Sequence, residues 1–165
     1  MRVLRPHLSA LIVPLLAVST ATAAAAPPLQ LWDEADLRLR TGVNATVLVR
    51  VSIAEGYRLV GAGVQHGALR GLQLRMQPAE GVRFGVPSYP RPQPAPLLAG
   101  TPAIPAHEGV VAIRLPMQVV PGTKWRTATL RGALRYQACR AGRCDAPQAL
   151  PVALEVEVVS DTSAR

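Results

Sequence analysis

The two cysteines of this 165-residue chain, Cys139 and Cys144, are separated by four residues in the run Tyr136-Gln-Ala-Cys-Arg-Ala-Gly-Arg-Cys144. Two thiols on so short a loop can close into a disulfide with little backbone movement, and can open again when a partner thiolate reaches them. Closing a six-residue ring stabilises by only about 2 kcal/mol in the chain-entropy model, so the pair is weakly placed as a staple. Arg140 and Arg143 lie beside or between the thiols. Fixed positive charge favours a thiolate, the attacking species in exchange, while Asp145 follows at once and opposes the effect. On this chemistry redox exchange and a structural disulfide both stay open. A third chemistry, Cu(I) held by the cysteines with His66, His107 or Met117, has no supporting ligand spacing, and these histidines read as plain surface residues. No Ser/His/Asp set, carboxylate pair or phosphate loop of usable spacing occurs, and neither a metal nor a cofactor is expected.

Strands must position the pair, because alternation with period two dominates the chain. Val47, Val49, Val51 and Ile53 share one face; so do Leu72, Leu74 and Met76, and Val111, Ile113 and Leu115. Leu130, Leu134, Tyr136 and Ala138 form a fourth set, and Leu150, Val152, Leu154, Val156 and Val158 a fifth. Glu55-Gly56, Glu80-Gly81 and Pro121-Gly122 supply turns between them, and no helical pattern of ten residues occurs beyond the N-terminal segment. The expected class is all-β, an antiparallel β-sandwich of roughly seven to nine strands. If the Leu130–Ala138 alternation continues, Cys139 takes the parity of Gln137, the solvent-facing side, at the end of the sandwich where loops gather. Seven of the 16 prolines fall between Pro87 and Pro105, which predicts a long, stiff, exposed connection with a functional use.

Residues 1–25 read as a secretory signal peptide: Arg2 and Arg5, an apolar run from Leu8 to Val18 too short to span a bilayer, then small residues. Pro27 disfavours a cut after Ala26, so cleavage is expected near residues 23–25, leaving a single domain over 26–165. No second apolar run of membrane length follows, so the exported chain is not expected to span a membrane. The periplasm is the expected compartment, one in which disulfides persist. The formal net charge is +8, and +6 without residues 1–25; Lys124 is the lone lysine among these cations. The arginines alternate with apolar residues along strands, as at Arg38, Arg40, Arg126, Arg131 and Arg135, as solvated strand faces do. That pattern argues against a nucleic-acid partner and suits acidic protein partners.

The segment Gly132-Ala-Leu-Arg-Tyr-Gln-Ala-Cys139, a four-residue spacer, Cys144, then a proline and a final strand resembles the N-terminal periplasmic domain of the thiol:disulfide interchange protein DsbD. Glu55-Gly-Tyr57-Arg-Leu59, Ser88-Tyr-Pro90-Arg-Pro92 and Glu108-Gly-Val110 support the likeness, which spans roughly residues 30 to 159, most of the chain that remains once residues 1–25 are set aside. The resemblance implies an immunoglobulin-like fold. It also implies an electron relay from a membrane-linked thioredoxin-like donor, here on another chain, to periplasmic disulfide or thioredoxin-like proteins. By motif position Cys144 would form mixed disulfides and Cys139 would resolve them. The 87–105 segment would act as a cap, with Tyr89, Leu97 or Leu98 as its apolar cover. Three departures accompany the likeness. Cys144 is followed by Asp-Ala-Pro, the cap stretch lacks acidic and further aromatic residues, and the chain stops at Arg165 before any membrane segment. The rival expectation is a non-catalytic secreted β-sandwich binding module whose hairpin disulfide is structural.

Overall fold

A computed structural model describes residues 27–32 and 37–159; the expected signal peptide and its cleavage point lie outside these residues. The described chain is all-β. One four-stranded sheet runs β1 (Leu29–Leu31), β3 (Asn44–Ile53), β11 (Val110–Val119), β8 (Val82–Phe84). The other runs β2 (Leu37–Arg40), β15 (Gln148–Val159), β12 (Thr127–Tyr136), β7 (Gln73–Met76). These eight strands form the expected immunoglobulin-like sandwich, antiparallel except where β2 joins β15 in parallel. No helix long and apolar enough to cross a membrane occurs among the described residues.

The alternation sets the registers. In the first sheet Val49 lies opposite Ile113 and Val51 opposite Val111; in the second Leu130 lies opposite Leu154 and Gly132 opposite Val152. Directly opposed residues share a face, so one inner stripe per strand suffices to close the core between the sheets. A one-residue slip of β3 would turn Val47, Val49, Val51 and Ile53 outward, which fixes the pairing.

Beyond one end of the sandwich lies a smaller five-stranded sheet, in the order β14 (Arg143–Cys144), β13 (Ala138–Arg140), β4 (Arg58–Val60), β10 (Ile104–His107), β9 (Gln93–Ala95). A two-stranded ribbon of β5 (Gln65–His66) and β6 (Leu69–Arg70) completes the fold. The proline-rich stretch, expected as an open connection, therefore contributes two strands. Their prolines sit where the missing N–H does least harm. Pro94 is on the edge strand β9 opposite Pro105, and the Pro105 carbonyl still accepts from Gly61 N–H at 2.8 Å. The Gly61 carbonyl, which a proline cannot reach, accepts from Val64 N–H at 3.1 Å instead.

That Gly61–Val64 turn packs tightly against residue 71. A Cβ on Gly71 would stand 2.3 Å from the Gly61 oxygen and 2.9 Å from Val64 N, both backbone atoms with no room to yield. Gly71→Ala is expected to destabilise by about 3 kcal/mol through overpacking. Gly67→Ala, where φ is +55° and nothing lies within 4 Å, should cost about 1 kcal/mol for the left-handed backbone alone. Urea midpoints for the two variants check this, and equal losses would contradict the packing argument.

Candidate thiol–disulfide site

The cysteines close a hairpin. β13 and β14 pair with Cys139 opposite Cys144 and Arg140 opposite Arg143, joined by Ala141 and Gly142. Both turn residues have positive φ, 51° and 75°, the signature of a type I′ turn, whose twist matches that of the flanking strands. Glycine accepts this conformation freely; alanine costs about 1 kcal/mol there, so the hairpin is held against a local penalty. The sulfurs are bonded at 2.02 Å, with the Cα atoms 3.9 Å apart.

Cys139 does share the parity of Gln137, but neither faces solvent: Gln137 is 5 % exposed and Cys139 is 2 % exposed. The face opposite the sandwich core is covered by the 93–106 segment, which the alternation of β12 and β13 cannot register. Cys139 belongs to a second apolar cluster with Val60, Leu69, Ala95, Leu97, Ile104 and Ala106, while Cys144 is only partly buried at its margin. Leu97 is the innermost part of the cover at 1 % exposure, and Leu98 packs beside it. Ala99 N–H donates to the Gly142 carbonyl at 3.1 Å, tying the cover to the hairpin turn. The Cys144 sulfur lies 3.9 Å from the Leu97 carbonyl oxygen, a plain contact in the disulfide and a reach for an S–H donor once the bond is reduced. Tyr89 is not part of this cover. It packs on the sandwich core, and its hydroxyl accepts from Leu74 N–H at 2.7 Å, occupying an outward-facing donor of β7.

Gln137 is the residue that sequence reasoning passed over. Its Oε1 accepts from Arg70 N–H at 2.8 Å and its Nε2 donates to the Asp145 carbonyl at 2.8 Å, joining the β5–β6 ribbon to the chain leaving Cys144. Asp145 N–H returns a bond to the Ala138 carbonyl at 2.8 Å. On β4, Arg58 stands opposite Cys139 and makes an ion pair with Glu108 at 2.8 Å. The Arg140 guanidinium lies 5.0 Å from the centre of the Tyr57 ring, a cation–π distance. Tyr136 donates its hydroxyl to Gln148 Oε1 at 2.8 Å; burial, with the Asp145 charge, holds its pKa above the ordinary tyrosine value.

His107 is buried, 5 % exposed, rather than on the surface, because β10 lies between β4 and β9. Its Nε2 accepts from Ala62 N–H at 3.3 Å, which requires that nitrogen to be unprotonated. No alternation signal marks it, since Ala106 and His107 are buried in succession. Met117 lies in the sandwich core, His66 is exposed, and among the described residues no group of three or more His, Cys, Asp or Glu side chains converges. An open cleft of about 730 Å³, lined by Arg70, Leu74, Tyr89, Arg135 and Tyr136 among others, is lined by neither cysteine.

No family model matches the chain, and no curated protein does. Among solved structures it is similar to the N-terminal domain of DsbD from Neisseria meningitidis in the reduced form, at 20 % identity and a TM-score of 0.46, over 71 % of this chain and 78 % of that one. It is also similar to the N-terminal periplasmic domain of ScsB from Proteus mirabilis, at 12 % identity and a TM-score of 0.45, over 78 % of this chain and 44 % of that one. The first of these is the domain that the Tyr136–Cys144 run resembles. Chemistry at the hairpin, rather than likeness at this level, carries the functional reading.

Burial lowers the pKa of His107 below its ordinary value of 6.5. The unfolded chain then binds more protons than the folded one as pH drops below about 6.5, so stability present above that value is lost on acidification. Urea unfolding at pH 8 and pH 5.5 should show a lower midpoint at pH 5.5. His107→Gln should flatten the part of that difference that His107 carries, and an unchanged slope would show that the imidazole is not held neutral.

Proposed function

We propose that the chain is a periplasmic thiol:disulfide exchange module, exported through residues 1–25, that passes electrons through Cys139 and Cys144. Its donor is a membrane-linked thioredoxin-like protein on another chain, and its acceptors are periplasmic disulfide or thioredoxin-like proteins. The observation that carries this reading is the inequality of the two sulfurs. Cys144 is partly exposed at the mouth of the hairpin, whereas Cys139 is sealed beneath Leu97.

The exchange runs in two balanced steps. A donor thiolate attacks Cys144 Sγ along the sulfur–sulfur axis; the new bond is a mixed disulfide, and the electron pair of the old bond leaves on Cys139. The donor's second thiolate then attacks its own sulfur in the mixed disulfide and releases Cys144. The donor is oxidised by two electrons, the pair is reduced by two, and two protons follow. Reversal against a more oxidising partner completes the relay, with Cys144 attacking and Cys139 resolving.

Burial of Cys139 favours the rival reading, a binding module whose hairpin disulfide is structural. The reduction potential separates the two. Equilibration in thiol buffers is expected to place the pair between about −120 and −270 mV, among exchange-active proteins, and a value below about −300 mV would sink the relay. Cys139→Ala, with Cys144 left free, is expected to accumulate a mixed disulfide with a thioredoxin-like domain. Leu97→Ala removes a side chain worth about 1.5–3 kcal/mol of burial, so reduction of the disulfide by dithiothreitol should quicken by about tenfold. An unchanged rate would mean that residues 97–99 do not limit access.

A further inference from the structure

The hairpin tip carries two cations whose placement its own stability does not explain. Arg140 and Arg143 are directly opposite in the β13–β14 register, so their side chains share one face. Like charges in that relation destabilise a sheet. The tight turn of Ala141 and Gly142 fixes the pair at this spacing despite the left-handed alanine. Arg140 is exposed and laid over the Tyr57 ring, which orients its guanidinium without neutralising it. Arg143 is exposed too, and the ion pairs among the described residues, Arg38 with Glu157 and Arg58 with Glu108, involve neither arginine. The acid nearest in sequence, Asp145, acts on Tyr136, whose pKa it raises along with burial.

The hairpin tip therefore presents two exposed cations, each on the residue next to a cysteine and, by strand alternation, on the hairpin face opposite the sulfurs. We infer that Arg140 and Arg143 are a recognition site for carboxylates that flank the reacting cysteine of the partner, so that the partner is an acidic thiol protein docked through the tip of the hairpin. This inference rests on the exchange reading and names the chemistry of its partner. Guanidinium forks suit carboxylates geometrically, and two of them beside Cys144 raise the local concentration of an anionic thiol before its thiolate attacks that sulfur and Cys139 leaves.

The test uses two synthetic peptides, Glu-Gly-Cys-Gly-Glu and Lys-Gly-Cys-Gly-Lys, with 2-mercaptoethanol as the thiol that has no flanking charge. Reduction of the intact protein's disulfide is followed where the rate is first order in thiol, at low ionic strength, and expressed per thiolate. The acidic peptide is expected to react about fivefold faster than the basic one. In Arg140→Gln/Arg143→Gln the acidic-to-basic ratio should fall to near one, and the 2-mercaptoethanol rate, whose thiolate carries a single charge, should fall by less than that of the acidic peptide. Salt at about 0.5 M should erase the preference in the unsubstituted protein. A reactive disulfide with no preference, or with one that survives the double substitution, overturns this inference and leaves the exchange reading standing. A disulfide inert to all three thiols overturns the exchange reading, and this inference with it.

Discussion

Gln137 sits where one stretch of chain passes from the sandwich to the smaller sheet, and three of its polar groups are spoken for at that point. Its amide oxygen takes Arg70 N–H, its amide nitrogen gives to the Asp145 carbonyl, and its own carbonyl accepts from Val60 N–H at 3.1 Å. Up to Tyr136 the chain buries one face against the sandwich core; from Ala138 it must bury both, Ala138 toward that core and Cys139 toward the second cluster. An apolar residue at 137 would fill the space but leave Arg70 N–H and the Asp145 carbonyl without partners, a penalty of about 1–3 kcal/mol each where water is shut out. The amide thus orients three segments at once: the ribbon below, β4 alongside, and the strand leaving Cys144. The site's geometry follows from that junction.

The second cluster is a small core added to a large one. The sandwich closes on long ladders, β3 with β11 and β12 with β15, whose inner-face residues Val49, Val51, Val111, Ile113, Leu130, Leu134, Val152 and Leu154 are almost wholly buried. The cluster around Cys139 is instead assembled from single residues of short strands and from Leu97 in a loop. Local opening is cheapest where few apolar contacts and few backbone bonds must be given up. Stability and access are thereby divided between the two cores. The sandwich holds the larger core, and the smaller cluster encloses Cys139 with Cys144 at its margin.

Much of this was legible in the sequence. The alternating runs named the inner faces of β3, β11 and β15 correctly, and the short cysteine loop announced the hairpin. The cover by Leu97 and Leu98 followed from the resemblance, not from pattern. What escaped was whatever depends on contacts between distant segments. The parity of Cys139 was right, yet exposure depends on what lies over a face, and the covering residues come some 40 positions earlier in the chain. The sequence predicts a surface position for His107, because burial by two flanking strands leaves no mark on a four-residue strand. The prolines suggested open chain, and Pro94 and Pro105 instead occupy strand positions that lose little by lacking an N–H. Tyr89 is a candidate for the cover on the same resemblance, but its hydroxyl is engaged by the edge of β7.

The inequality of the sulfurs couples their chemistry to the cover above them. Breaking the bond at Cys144 leaves charge on Cys139, which lies among Val60, Ala95, Leu97, Ile104 and Ala106. A thiolate there has lost its water, and burial in apolar surroundings opposes its departure. Arg58 is the cation that the ladder places beside it, but Glu108 already engages that guanidinium at 2.8 Å. Arg140 is next in the chain but is laid over the Tyr57 ring, so water is a further means of stabilising the leaving group. The part of the wall most easily withdrawn is residues 97–99, tied down by the Ala99–Gly142 hydrogen bond and the burial of Leu97 rather than by a strand ladder. Lifting them would expose Cys144 to attack and hydrate Cys139 in the same movement. Access and leaving-group stability then rise together, and with the cover down both are suppressed. On the exchange function proposed above, a disulfide held in this way would resist casual thiols without being inert, because a partner that displaced the cover would also remove the electrostatic obstacle to bond cleavage.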